Sequence, residues 1–297
     1  MKILAAVVTH NRAKLLQRCL IALEGQNRPA EEIVVINNGS TDNTSSIIKE
    51  FQAKEIRQEN TGSAGGWFTA INHALENKFS HIWLMDDDGF PEKDALKNLA
   101  EIINEDFACL SSVVINEDNN NSFVFSYPLI KRNGKPNTLM FWKKYKQLNK
   151  LPLINDQYYP YAHLFNGALI NIDAIKIIGN VSPEYFMYGD EVDYFFRLST
   201  VGIVGSTPLA KHFHPNVMNR EYSIKRIYYN TKNNLIIYRK YYDYPLLHMI
   251  IGPFIILART YKTNGLPFTL SLIFGKNKKI FLKAINRGLS NKIGVDY

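Results

Sequence analysis

The chain has 297 residues, 46% hydrophobic and 21% charged, ordinary values for one large folded domain or a domain with an appendage. Two cysteines, Cys19 and Cys109, supply no disulfide framework and point to a reducing compartment. The net charge of +8 is unevenly divided: residues 211–297 hold 15 Lys or Arg and three acids, a balance of +12, leaving 1–210 at −4. No nucleic-acid motif accompanies the basic end, so nucleic acid is set aside as a partner.

In chain order, the apolar run at 3–8 reads as a first strand. It is too short for a secretory leader, which fits a cytoplasmic protein. Apolar residues at helical spacing over 13–23 follow the polar turn at 9–12. The β-branched run at 32–36 is a second strand, closed by Asn37-Asn38-Gly39-Ser40. A helix is predicted over 45–51, capped by Asp42 or Thr44, then a short strand at 56–58 and a helix over 68–77. The run at 82–85 is a strand ending in three aspartates, and a helix follows over 93–103. Strands separated by helices imply a mostly parallel sheet. Beyond it come a strand at 109–115, a polar turn at 116–122, and a Lys-, Asn- and aromatic-rich stretch at 131–160 expected to be a mobile flap. A strand at 168–172, a short helix at 174–178 and a mainly helical tail from 222 complete the reading.

Four clusters carry chemistry. Asp86-Asp87-Asp88-Gly89 ends a strand, and adjacent carboxylates persist where water, a cation or a donor-rich ligand neutralises them. Oxygen donors of this kind suit Mg²⁺ or Mn²⁺. The second cluster, Asp190-Glu191-Val192-Asp193, lies at the start of a predicted helix. There it either compensates the helix dipole or supplies a general base. Third, His212 and His214 fall on one side of an extended segment and can complete a metal shell. Fourth, the run NTGSAGGW at 60–67 is rich in small residues that let backbone amides approach a phosphate or sugar. It matches neither the Walker loop nor the dinucleotide fingerprint.

Together these motifs, in order over roughly residues 1–215, resemble glycosyltransferase family 2 with the GT-A fold. That fold is an α/β, Rossmann-like mixed, mostly parallel sheet flanked by helices. Here it would occupy residues 1–220, followed by a basic, apolar helical extension over 221–297. VVTHNR at 7–12 looks like the opening strand and base-binding turn, and IVVINNGSTD at 33–42 like the next nucleotide-binding strand and turn. The small-residue run looks like the loop beside the diphosphate, and the triple aspartate like the metal motif. These last two, with Phe165-Asn166-Gly167, look most like the galactofuranosyl- and rhamnosyltransferase branch. One departure is Asn37, where many relatives place Asp.

The resemblance implies a metal-dependent, inverting transfer from a nucleotide-diphospho sugar, with Mn²⁺ or Mg²⁺ as cofactor. Asp88 and His214, or His212, would hold the cation, and Asp86 the metal shell or ribose. Thr9, Asn11, Arg12 and Asn37 would hold the nucleotide, with Asp87 beside them. Asn60, Gly62, Ala64, Gly65 and Gly66 would line the diphosphate and donor sugar. Glu191 would be the base, with Asp190 as runner-up. Asn166, Gly167, Asp190 and Asp193 would meet the acceptor, a glycan of a surface polysaccharide such as O-antigen or capsule, on a lipid carrier. Trp83 is expected in the core, while Trp67 and Trp142 are open to a core or a sugar-stacking role. Two rivals remain: a nucleotidyltransferase, and a non-catalytic sugar- or nucleotide-binding scaffold on the same fold. The apolar run at 245–258 is too short to span a bilayer. It either lies in the membrane interface at the inner face of the cell membrane or closes a core or dimer contact. Oligomeric state is unreadable.

Overall fold

The computed structural model describes residues 1–216 and 222–297. These form two compact units. The first comprises 1–181 and 194–216; the second comprises 182–193 with the C-terminal segment.

The first unit opens with β1 (Ile3–Thr9), α1 (Ala13–Glu24), β2 (Glu32–Asn38), α2 (Thr44–Ile48), β3 (Ala53–Gln58), α3 (Gly62–Glu76) and β4 (His81–Asp86). β3, β2, β1 and β4 lie side by side in that order, all parallel. The near-continuous apolar sequences of β1, β2 and β4 follow from burial on both faces, whereas β3 (AKEIRQ) is a mostly polar edge strand with no fully buried residue. Ile3, Ala5 and Val7 point to one side with Trp83 and Met85, where Leu16 and Leu20 of α1 cover them. The two-residue strand β5 (Phe90–Pro91), α4 (Ala95–Ile102), β6 (Phe107–Asn116), β7 (Asn119–Pro128), β8 (Lys144–Gln147), β9 (Asn166–Asn171) and α5 (Ile172–Ile178) follow. α6 (Asp190–Leu198) begins in the second unit, and β10 (Ile203–His214) completes the first. β9 runs antiparallel between β4 and β6, β10 runs parallel to β6, and β5 closes the edge against β10.

This is the expected mixed sheet flanked by helices with a helical C-terminal extension. Three local expectations fail, the first being the polar turn at 116–122: the turn itself is only residues 117–118, and 119–122 pair back as the start of β7. Helix α3 starts at Gly62 rather than near 68. Its small residues are not a loose loop but buried first turns: a Cβ on Gly66 would lie 2.5 Å from Val8 Cγ1, so glycine lets helix and strand close. The 131–160 stretch is also partly ordered into the sheet edge. β8 pairs with β7, and Leu151 and Tyr159 join Val113, Ile115 and Tyr127 in a small core.

In the second unit α7 (Ile224–Tyr241), α8 (Pro245–Ile273) and α9 (Lys278–Leu289) pack around Ile227, Ile256, Leu272 and Phe281. Phe186 stacks on Tyr229 with ring centroids 4.9 Å apart. Buried Lys232 meets Asp296 at 2.7 Å. α8 is broken at Gly265, where φ is 81°. Among the described residues no helix is long and apolar enough to cross a membrane.

Candidate active site

In the first unit the strand order reverses between β1 and β4, and the carboxyl ends of such strands flank the crevice where open α/β sheets bind ligands. β1 delivers Thr9 and then Asn11 and Arg12; β4 delivers Asp86, Asp87 and Asp88. Thr9 Oγ1 donates to Asp87 Oδ2 at 2.7 Å, and Arg12 Nη1 donates to Asp87 Oδ1 at 2.9 Å and to Asp88 Oδ2 at 2.7 Å. Burial pushes the Asp87 carboxyl up, against the pull of Arg12 and Thr9. The geometry thus turns Thr9 and Arg12 onto the aspartates. Arg18 adds a hydrogen bond to the Asp88 carbonyl at 2.8 Å and an ion pair to Glu117 at 2.6 Å.

The chain turns at Gly89 into β5, whose Pro91 and Phe90 pair with His212 and Phe213 of β10. A register shift between Thr207 and Lys211 re-aims the end of β10. His214 Nε2 consequently lies 3.0 Å from Asp88 Oδ1. Its Nδ1 is 2.7 Å from the Pro215 carbonyl; a carbonyl only accepts, so Nδ1 carries the proton in the neutral ring and Nε2 keeps its lone pair. His212 is fully buried, its pKa pushed down to about 3 by burial and then by His214. A Cβ on Gly89 would fall 2.1 Å from His212 Nε2. His212 therefore supports the aspartate turn, and His214 meets Asp88. Among the described residues no group of three or more His, Cys, Asp or Glu side chains is placed to hold a metal ion by itself.

Asn37 is fully buried. Its Nδ2 donates to Ser45 Oγ at 3.0 Å and to Glu55 Oε1 at 2.6 Å, and its Oδ1 accepts from the Ser40 amide at 3.0 Å. Asn11, at φ 54°, accepts from the Thr41 amide at 2.7 Å, tying the β1 turn to the β2 turn. Asn60 Oδ1 accepts from the Gly62 amide at 3.0 Å, and Gly62, Ala64, Gly65 and Gly66 lie buried in α3. The brace for this entry is Asn38, whose Nδ2 donates to the Gly62 carbonyl at 2.9 Å. Asn38, Glu55, Ser45 and Arg18 escape sequence reasoning, because only folded strand ends bring them to their partners. Trp67 stacks on Phe165 at 4.5 Å and is fully buried, as is Trp83; both are core, whereas Trp142 is exposed. Asn166 and Gly167 sit where the β4–β9 register shifts, with Gly167 at φ 86°. Asn166 Oδ1 is buried without a partner.

In the second unit the loop before α6 takes left-handed φ at Phe186 (62°), Tyr188 (62°) and Gly189 (86°). Asn233 of α7 holds it, its Nδ2 2.9 Å from each of the Tyr185, Met187 and Tyr188 carbonyls. Asp193 Oδ1 accepts from Lys240 Nζ and Tyr241 OH at 2.7 Å and from Tyr185 OH at 3.3 Å. That makes Asp193 an anchor for α7. Asp190 is buried, which raises its pKa to about 7 with help from Glu191. Glu191 is partly exposed.

In the first unit, parallel strand ends that carry an aspartate turn at a topological switch point form the arrangement in which open α/β folds bind ligands. Residues 5–170 match the Glycosyl transferase family 2 domain, and the chain belongs to that family. The galactofuranosyltransferase GlfT1 of Mycolicibacterium smegmatis is 30% identical over 220 residues, 71% of this chain and 70% of that protein. The GlfT1 protein of Mycobacterium tuberculosis is 30% identical over 225 residues, 72% and 70% of the two chains. The fold is shared with the mannosyltransferase PcManGT of Pyrobaculum calidifontis, solved with GDP-Man and Mn²⁺. That structure has a TM-score of 0.59 and 17% identity, covering 98% of this chain and 88% of the other. The family assigns glycosyl transfer to this chain.

Proposed function

We propose that the protein moves galactofuranose, with rhamnose the second choice, from a nucleotide-diphosphate donor to a hydroxyl of a growing, lipid-carried surface polysaccharide. The names of its relatives favour galactofuranose. The observation that carries the reading is the Asp88–His214 pair. An imidazole lone pair facing a carboxylate oxygen 3.0 Å away repels it unless a proton or a cation lies between. The spacing also suits neighbouring ligands of an ion with bonds of about 2.1 Å. Two protein ligands are enough where the donor's phosphates supply the rest, the usual habit of Mg²⁺ sites. A bound Mn²⁺ or Mg²⁺ would offset the charge on the departing diphosphate.

The chain's own groups do the remainder. Glu191 takes the proton of the acceptor hydroxyl. The oxygen bonds to the anomeric carbon as the carbon–diphosphate bond breaks, with inversion, and the nucleoside diphosphate leaves. Asp190, buried and with its pKa raised to about 7, is the runner-up for that base or a group that holds the acceptor hydroxyl. At Asn37 both amide N–H groups are taken by Ser45 and Glu55. Its Oδ1 accepts from the Ser40 amide, so this buried side chain would act on the nucleotide by holding the turn after β2 in shape.

Thermal melting with UDP-galactofuranose and dTDP-rhamnose, each with and without Mn²⁺, tests the reading. The cognate donor should raise Tm by about 5 °C at saturation, and only with the metal. Asp88→Asn should abolish the metal-dependent rise. Glu191→Gln should keep it yet release no nucleoside diphosphate when acceptor is added. An equal shift in Asp88→Asn, or pyrophosphate as the product, overturns the assignment.

A further inference from the structure

α8 has two faces. His248, Met249, Gly252, Ile256 and Thr260 are buried inside the second unit. The opposite face carries Leu246 (73% exposed), Leu247, Ile250 (67%), Phe254 (65%) and Tyr261. These positions recur at helical spacing, so they form one continuous stripe. After the Gly265 break, Leu266, Leu270 and Phe274 (78% exposed) repeat every fourth residue. Scattered exposed leucines need no explanation, but a continuous apolar stripe with two exposed phenylalanines does.

Charge says what covers it. Arg259 and Lys262 on α8, and Lys276, Lys278 and Lys279 beyond it, are all exposed. The acids between 222 and 297 are Asp243 and Asp296 alone, and Asp296 is held by Lys232 and Arg287. A second copy docking here would set one basic rim against another. An anionic lipid surface would neutralise the rim and take up the stripe together. The helix is broken at Gly265, and among the described residues no helix can cross a bilayer, so the mode is lying on the surface rather than spanning it. We propose that the outer face of α8, with the basic residues around it, binds the interface of an anionic membrane. The inference stands apart from the sugar, cation and base assignments, because it uses only residues 222–297.

Co-sedimentation of the full chain with phosphatidylcholine vesicles, with and without phosphatidylglycerol, tests it. The wild type should pellet with the anionic vesicles and stay largely free with the neutral ones. Ile250→Ser/Phe254→Ser should cut binding at least about tenfold, since apolar insertion is lost. Lys276→Glu/Lys279→Glu should weaken binding to anionic vesicles specifically. Donor-dependent thermal shifts should persist in both variants, which separates this test from that of the transfer reaction. Absence of wild-type binding to anionic vesicles overturns the proposal, as does full binding by Ile250→Ser/Phe254→Ser. So does a sedimenting dimer that the same pair of substitutions dissolves.

Discussion

Asn37 shows how one atom decides what a position tolerates. Exchanging its amide for a carboxylate looks conservative. Here, however, Glu55 Oε1 lies 2.6 Å from the amide nitrogen of the fully buried Asn37. Asn37→Asp would set two carboxylates face to face, and the pair would retain a proton well above the ordinary carboxylate range. A raised folded-state pKa costs stability as pH rises past the unfolded value. The variant should therefore lose about 2–4 kcal/mol at pH 8 and much less at pH 5, with Glu55→Gln restoring most of it. Equal melting temperatures at both pH values would refute this. Asp190 poses the same problem in the native chain. Burial, then Glu191, lifts its pKa to about 7, above the unfolded value near 4. Its stabilising contribution is full below about pH 4 and is lost as pH climbs through 7. Asp190→Asn should thus melt higher than wild type at pH 8, by up to about 3 kcal/mol, and the gain should shrink towards pH 5.

At the scale of elements, the tail helices build the acidic segment as well as their own core. α7 reaches back to the loop before α6 through Asn233, whose amide serves three carbonyls of a backbone with left-handed φ at Phe186, Tyr188 and Gly189. Such strain persists only where surroundings impose it. Asn233→Ala should relax the loop and lower turnover roughly 10²-fold, the usual penalty for a misplaced catalytic group. The metal-dependent donor shift in Tm should be unchanged, because residues 1–181 are untouched. A matching loss of donor binding would mean the residue only maintains the fold. None of this is legible in the sequence, since Asn233 lies far along the chain from the carbonyls it serves. The beginning of α3 is hidden for another reason. Gly62, Gly65 and Gly66 are poor helix formers, and close packing of Gly66 on Val8 and of Gly65 on Thr61 overrides that preference.

For the molecule as a whole, β1, β2 and β4 read directly from apolar runs closed by polar turns, whereas of the mostly polar β3 only the 56–58 end is expected. The aspartate turn and the acidic start of α6 read from charge where charge is costly. Less visible are pairings between distant segments. β5 is two residues long and gives no periodic signal. β9 threads antiparallel between strands far from it in sequence. The ring contacts among Tyr127, Tyr145 and Tyr159 make an apparent flap into part of the sheet edge.

The β5–β10 ladder has a consequence for biosynthesis. It joins the turn after Asp88 to the last strand of the first unit. A nascent polypeptide therefore lacks the imidazole partner of that aspartate until β10 has left the ribosome. Until that strand has emerged the growing chain should be unable to capture its donor, and competence should arrive abruptly once it has.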